Sequence, residues 1–192
     1  MLAAIVTILA LAASAPPVQF ASELWPGEGI PVLVAGARQL SLRREPLANA
    51  PANKPLTVRV GSRVQFDQTR YQTLRSGLII AESATTLSGR NLGALAYLSK
   101  EQYYSERFPS QRYELQAGAK IEFLQYRAEG SCFIRLGADV IDVNECPDVN
   151  DSRFRSLRKV EVAWWVRVTV GAKPRGWALV DGRTLRAARR EF

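Results

Sequence analysis

The 192-residue chain contains no histidine. That removes Ser-His and Cys-His nucleophile pairs, the usual general base near neutral pH, and most zinc sites. The only methionine is Met1 and there are only two cysteines. No G-x-S-x-G, Walker-type or dinucleotide-binding glycine pattern occurs in it. No pair of carboxylates has a spacing that argues for glycosidase chemistry. Asp139, Asp142 and Glu145 lack the dense Asp-x-Asp-x-Asp-Gly pattern of a calcium loop and read as solvated hairpin charges. These absences point to a non-catalytic protein with no catalytic residue, metal or cofactor.

A long hydrophobic run is missing too. The one strongly apolar stretch, Met1 to Ala15, ends in small residues and is shorter than the roughly 20 residues a membrane-spanning helix needs. It reads as a secretory signal peptide over residues 1–15, although its only positive charge is the α-amino group and Pro16 follows the Ala13-Ser14-Ala15 site. A buried N-terminal helix is the alternative. Export predicts a periplasmic or secreted protein with no transmembrane segment in its mature chain, and an oxidising compartment. There, Cys132 and Cys146 are most simply one disulfide closing a hairpin whose two apolar runs meet at Leu136-Gly-Ala-Asp139.

Charge is abundant and of one dominant sign. Twenty-six basic against eighteen acidic residues give a formal net charge of +8. The Lys and Arg residues are spread along the chain. The one dense group, Arg183, Arg186, Arg189 and Arg190, lacks the interleaved aromatics of a single-strand binder, so no specific nucleic acid partner is expected. A basic exported protein meets anionic wall polymers, lipid headgroups or nucleic acid, or simply has a soluble basic surface.

The rest of the chain alternates like half-buried strands at short spacing: 31–35, 39–43, 56–60, 63–66, 71–74 and 78–81. A Pro-rich loop spans 44–55. Ser99-Lys-Glu-Gln102 resembles a capping box and predicts a short helix from Glu101 to Phe108, with Tyr103 and Tyr104 packing between domains. Strands return at Tyr113. Val58-Arg-Val-Gly-Ser-Arg-Val-Gln-Phe66 matches Leu115-Gln-Ala-Gly-Ala-Lys-Ile-Glu-Phe123 position by position, as an internal repeat would. Chance similarity of two β segments is the alternative.

Trp164-Trp-Val-Arg-Val-Thr-Val170, Gly171-Ala-Lys-Pro-Arg175 and Gly176-Trp-Ala-Leu-Val-Asp-Gly182 resemble the end of a bacterial SH3-like (SH3b-type) domain. Residues 115–123 look like its preceding strand, and 39–66 like the opening of another copy. The resemblance covers about half the mature chain. Residues 78–112 are too long for a loop of that family, and the Cys132–Cys146 hairpin is an insertion. The resemblance implies a mostly β fold of two small SH3-like barrels in tandem, with one short connecting helix. The expected boundaries are 31–98, a helical linker 99–112, and 113–192 carrying the disulfide hairpin. One larger β domain wrapped by the middle segment is the alternative.

Parity along 164–170 places Val166, Val168 and Val170 on the core face with Trp164. Trp165 and Arg167 then share the outer face. Trp165 either contacts ligand or covers the flank of the barrel. With Tyr126 nearby, Trp165 and Arg167 form the candidate ligand groove. The expected function is an exported binding or scaffolding module whose partner is peptidoglycan (cell-wall peptide or glycan) or an envelope protein. An inhibitor of a secreted enzyme and a His-free wall hydrolase are the alternatives.

Overall fold

A computed structural model describes residues 19–188 apart from 26, 28, 30, 129 and 148–150. The 1–15 segment read as a signal, and Arg189 and Arg190, lie outside the described residues. The protein is mostly β. Strands β1 (Phe20–Ser22), β2 (Leu33–Ala35), β3 (Gln39–Leu40) and β4 (Leu56–Thr57) precede a long β5 (Arg63–Arg75), which joins two stretches that the sequence suggested separately. Next come β6 (Gly77–Ala81), β7 (Thr85–Gly93), β8 (Tyr97–Leu98) and the only described helix, α1 (Lys100–Ser105). Strands β9 (Ser110–Leu115), β10 (Lys120–Tyr126), β11 (Cys132–Leu136), β12 (Asp139–Val143) and β13 (Phe154–Arg158) follow. The chain then runs through β14 (Glu161–Val170), β15 (Lys173–Leu179) and β16 (Leu185–Ala187).

Alternation explains the long strands. In β14, Val166 and Val168 are fully buried, as their parity requires, whereas Val170, expected on the same core face, is 51% exposed because it stands at the tip of the β14–β15 hairpin, beyond the core. Ser99 caps α1 by accepting the Gln102 N–H at 3.0 Å, but the Gln102 side chain reaches forward to Glu106 rather than back to the cap, so only half of the capping box forms. Cys132 and Cys146 are joined in a disulfide, with Cα atoms 5.5 Å apart, at the open end of the β11–β12 hairpin.

The sheets are open rather than closed barrels, and they do not divide at 99–112. Each of the two large sheets contains strands from both 31–98 and 113–188. One sheet runs β15-β14-β5, and β5 is then shared along its other edge by β2, which carries β16, and by β1, which carries β8. The other runs β13-β6-β10-β11-β12-β7-β9. Two units result. Residues 31–75 return at 161–188 to complete the outer one, and residues 76–160 between them form the inner one.

The two units share one strand order. The outer order β16-β2-β5-β14-β15 is matched by the inner β13-β6-β10-β11-β12. Arg43 then bridges from β15 toward the β3–β4 pair, as β7 bridges from β12 to β9. The correspondence extends to single hydrogen bonds. In the outer unit, the Gly61 N–H donates to the Ala35 carbonyl at 2.7 Å and the Ala35 N–H to the Ser62 carbonyl at 3.0 Å. In the inner unit, Gly118 donates to Ala81 at 2.7 Å and Ala81 to Ala119 at 3.0 Å. Gly61 and Gly118 adopt φ of 81° and 85°, left-handed backbone that glycine enters without strain. Phe66 pairs with Val168 as Phe123 pairs with Ile134, and both strand pairs carry a bulge beside that position. The chain therefore holds two copies of one β topology, with the second inserted between β5 and β14 of the first.

Each unit has its own core. Leu33, Val64, Val166, Val168 and Leu185 fill the outer one; Ile79, Ile121, Ile134, Ile141 and Phe154 fill the inner one. A third core lies on the back of the inner sheet, where Phe20, Leu24, Leu98 and Tyr103 cover Leu124, Phe133 and Val140. Strand β1 thus pairs with β5 of the outer unit while its Phe20 ring packs 5.4 Å from Phe133 of the inner unit. Buried hydrogen bonds from Ser22 to Gln125 and from Thr73 to the Leu124 carbonyl, both 2.8 Å, tie the units together.

Candidate functional site

Of the three candidate groove residues, Trp165 lines the smaller of two openings, while Arg167 and Tyr126 line neither. Trp165 is 4% exposed rather than outward-facing, and its indole Nε1 has no hydrogen-bond partner within the protein. Its registered neighbours are Arg70 on β5 and Leu179 on β15. With Ser41, Arg43 and Ala48 it lines a cavity of about 240 Å³. Strand parity predicts the face of a side chain, not whether another segment covers that face, and here the 41–48 segment lines the same space as the indole. Arg167 is half-buried and paired with Asp67, with Nε–Oδ1 at 2.9 Å and Nη2–Oδ2 at 2.6 Å. Tyr126 is exposed and packs against Phe123, its ring 4.6 Å away.

The larger opening, about 470 Å³, lies where the two units meet. Its floor is Phe66 to Thr69 of β5. The stretch Glu23–Trp25 with Gly27 and Gly29 forms one side, and α1 with Arg127 and Ala128 forms the other. Trp25 stands against Trp164 at 4.5 Å, and Trp164 stacks on Tyr71 at 5.6 Å and 18° while its Nε1 donates to the Thr69 hydroxyl. Two aromatic rings, Trp164 and Tyr71, thus brace the wall that Trp25 presents. Tyr104, on the far side, is 70% exposed. Burial pushes the Tyr71 hydroxyl pKa up.

The charged walls are preset. Glu23 accepts from the Tyr97 hydroxyl, from the Lys100 N–H at 3.2 Å and from Arg70 at 3.4 Å. Burial opposes its ionisation, but these donors outweigh burial and hold its pKa below the ordinary value. The hydrogen bond from Arg167 likewise lowers Asp67. Behind the opposite wall, Asp142 is 1% exposed. It accepts from Arg90 Nη2 at 2.6 Å, Arg127 Nε at 3.0 Å and the Tyr103 hydroxyl at 3.0 Å. The Arg90 guanidinium also lies 4.4 Å over the Tyr103 ring. Burial and the adjacent Asp142 push the Tyr103 hydroxyl up to about 12.

This corrects the reading of Asp142 as a solvated charge. Ladder pairing sets Asp142 opposite Arg90, and α1 then lays Tyr103 against the pair. The available signal was position: Asp142 sits inside the run Val140-Ile-Asp-Val143, where each apolar neighbour is fully buried. Tyr103 does pack between elements as expected, whereas Tyr104 projects into the opening. Trp25 and Lys100 were missed: Trp25 lies in a stretch with no periodic pattern, and Lys100 reads only as part of the capping box.

Chemically, the cleft offers aromatic faces, the Lys100 ammonium and ion-paired side chains held in fixed positions. Every carboxylate with a displaced pKa among the described residues, Glu23, Asp67, Asp151 and Asp181, is displaced downward. None of these four is set to exchange a proton near neutrality. No described helix is long and apolar enough to cross a membrane. Comparison of the chain with family models, with curated proteins and with solved structures finds no match.

Proposed function

We propose that this chain is an exported, non-catalytic binding module built from two nested SH3-like units, and that it holds an extended peptide or glycan of the cell envelope in the cleft between them. The observation that carries this reading is the cleft itself. Its walls are Trp25, backed by Trp164 and Tyr71, and the projecting Tyr104. Rigid aromatic faces beside fixed charges bind extended chains by stacking and charge-assisted hydrogen bonds. The strand order β16-β2-β5-β14-β15, with its Gly171 turn and Gly176-Trp177 strand, supports the SH3-like assignment. The disulfide is compatible with an oxidising compartment outside the cytoplasm.

Co-sedimentation with purified sacculi, alongside pull-down from an envelope extract, tests the reading. Tyr104→Ala removes a largely exposed ring and leaves the fold intact. Binding of that variant falls by about 2 kcal/mol, the loss typical of an interface anchor, and its unfolding midpoint is unchanged. Binding equal to that of the parent protein contradicts the cleft assignment. A single stoichiometric protein partner, with no sacculus binding, favours scaffolding or inhibition over wall binding.

A further inference from the structure

The net charge is not shared between the two units. Residues 31–75 and 161–188 together carry thirteen basic and four acidic side chains, a net charge of +9. Residues 76–160 carry eleven of each, and are neutral. Two copies of one topology thus differ sharply in electrostatics. Three of the four acids of the outer unit are already engaged: Asp67 by Arg167, Glu161 by Arg75, and Asp181 by the backbone N–H groups of residues 183–185.

Of the ten bases of the outer unit that make no ion pair among the described residues, five gather at one end of the outer sheet. Val34 of β2 is registered with Arg63 of β5 on one side and Arg186 of β16 on the other. At the spacing of strands in a sheet, their Cα atoms lie about 10 Å apart on one face. The turn that leads into β5 holds Arg59, whose carbonyl accepts from both the N–H and the hydroxyl of Ser62. The Arg38 carbonyl accepts the Val58 N–H beside it. The β14–β15 hairpin ends at the same edge, with Thr169 registered to Gln65 and Lys173 to Val170. Arg38, Arg59, Arg63, Lys173 and Arg186 are all exposed, and none is in an ion pair among the described residues.

Valines stand among these cations. Val60, at the tip of the 59–62 turn, and Val170, at the hairpin tip, are each 51% exposed, and Val32, just before β2, is exposed as well. A soluble polyanion gains nothing from apolar side chains on loop tips. A bilayer does, because such tips enter the boundary between headgroups and acyl chains while the bases meet the lipid phosphates.

We propose that this end of the outer unit is a peripheral docking surface for an anionic phospholipid bilayer. The arginines and lysine provide the electrostatic attraction, Val60 and Val170 the shallow insertion, and the neutral inner unit faces away from the lipid. Each base near such a surface strengthens binding about five-fold.

The test is flotation of the full chain with vesicles of phosphatidylcholine, with and without about a third phosphatidylglycerol, a content chosen to give a negative surface potential. The protein binds the anionic vesicles and not the neutral ones. The combined Arg59→Gln, Arg63→Gln, Lys173→Gln and Arg186→Gln variant loses at least about 50-fold in partition. The charge-matched inner variant Arg107→Gln, Arg112→Gln, Lys120→Gln and Lys159→Gln loses less than about three-fold, because those bases lie outside the surface. Val60→Ser with Val170→Ser binds several-fold more weakly at unchanged charge. Thermal unfolding of each variant confirms that it is folded. Equal losses in the two charge variants reduce the effect to net charge and overturn the proposal. Undiminished binding by the valine variant, with inorganic polyphosphate competing as well as vesicles do, overturns it in favour of a soluble polyanion.

Discussion

Asp142→Ala destabilises the protein by about 3 kcal/mol, the lower end of the range for breaking a buried ion pair from one side. The carboxylate is the shared acceptor for two guanidinium groups and a phenol. Removing it leaves Arg90 and Arg127 facing each other without a counter-charge, and leaves the Tyr103 hydroxyl unpaired. Arg90 and Arg127 side chains are 32% and 25% exposed, so water relieves part of the cost. That partial access is why the lower end of the range applies. The loss does not stay local. Tyr103 is the buried residue of α1, and both Tyr103 and Arg127 line the cleft. Ligand binding per folded molecule therefore falls as well. Replacing all three charges together, with Arg90→Met, Asp142→Leu and Arg127→Met, restores much of the stability because no lone charge remains buried. Urea denaturation of the single and triple variants checks both statements. A single variant within about 0.5 kcal/mol of the parent would show that the cluster contributes nothing structural.

Trp165→Ala costs about 3–5 kcal/mol, as truncation of a large core aromatic does. Trp165→Phe costs less than half as much. The indole N–H has no partner within the protein, so phenylalanine keeps most of the packing and removes a buried donor that nothing satisfies. Neither change alters binding in the main cleft per folded molecule, because Trp165 does not line it. Unfolding midpoints and ligand affinity measured on both variants check the assignment. A stable Trp165→Ala protein that has lost its ligand would instead return Trp165 to the binding site.

Much of the local structure was legible in the sequence. The Gly61 and Gly118 turns, each followed by an alternating strand, identified a repeat whose backbone hydrogen bonds match in the two units. The β11–β12 hairpin, with its disulfide and its turn at Gly137, follows directly from two apolar runs around a turn signal. Pairing partners were not legible. Strand β14 reads the same whether it pairs with β10, as a tandem order would suggest, or with β5, as it does. Other equivalences were too short to stand out. Leu40-Ser-Leu-Arg43, which runs from the end of β3 to the Arg43 bridge with Trp177, stands where Leu87-Ser-Gly-Arg90 of β7 pairs with β12, yet the two share only a leucine, a serine and an arginine. The glycine at 89 has a physical reason, since a Cβ there would stand 2.6 Å from the Asp142 carbonyl oxygen. The cleft was invisible for a related reason. Trp25, the α1 pair Lys100 and Tyr104, and Arg127 come from three separate places in the chain, and they line a cleft whose floor, Phe66 to Thr69, belongs to the other unit.

That nesting is the central claim, and excision tests it most directly. Arg75 and Glu161 are registered partners at the ends of β5 and β14, so a tight turn such as Asn-Gly can join them when residues 76–160 are removed. The nested account predicts that the shortened chain retains the outer unit. Val64, Val166, Val168 and Leu185 should then keep dispersed amide resonances close to their positions in the whole protein, since all of their core partners are present. The fragment 113–188 alone should give the narrow spectrum of an unfolded chain, because β14 has lost β5 and β10 has lost β6. A collapsed spectrum for the shortened chain, together with a well-dispersed one for 113–188, would contradict the account.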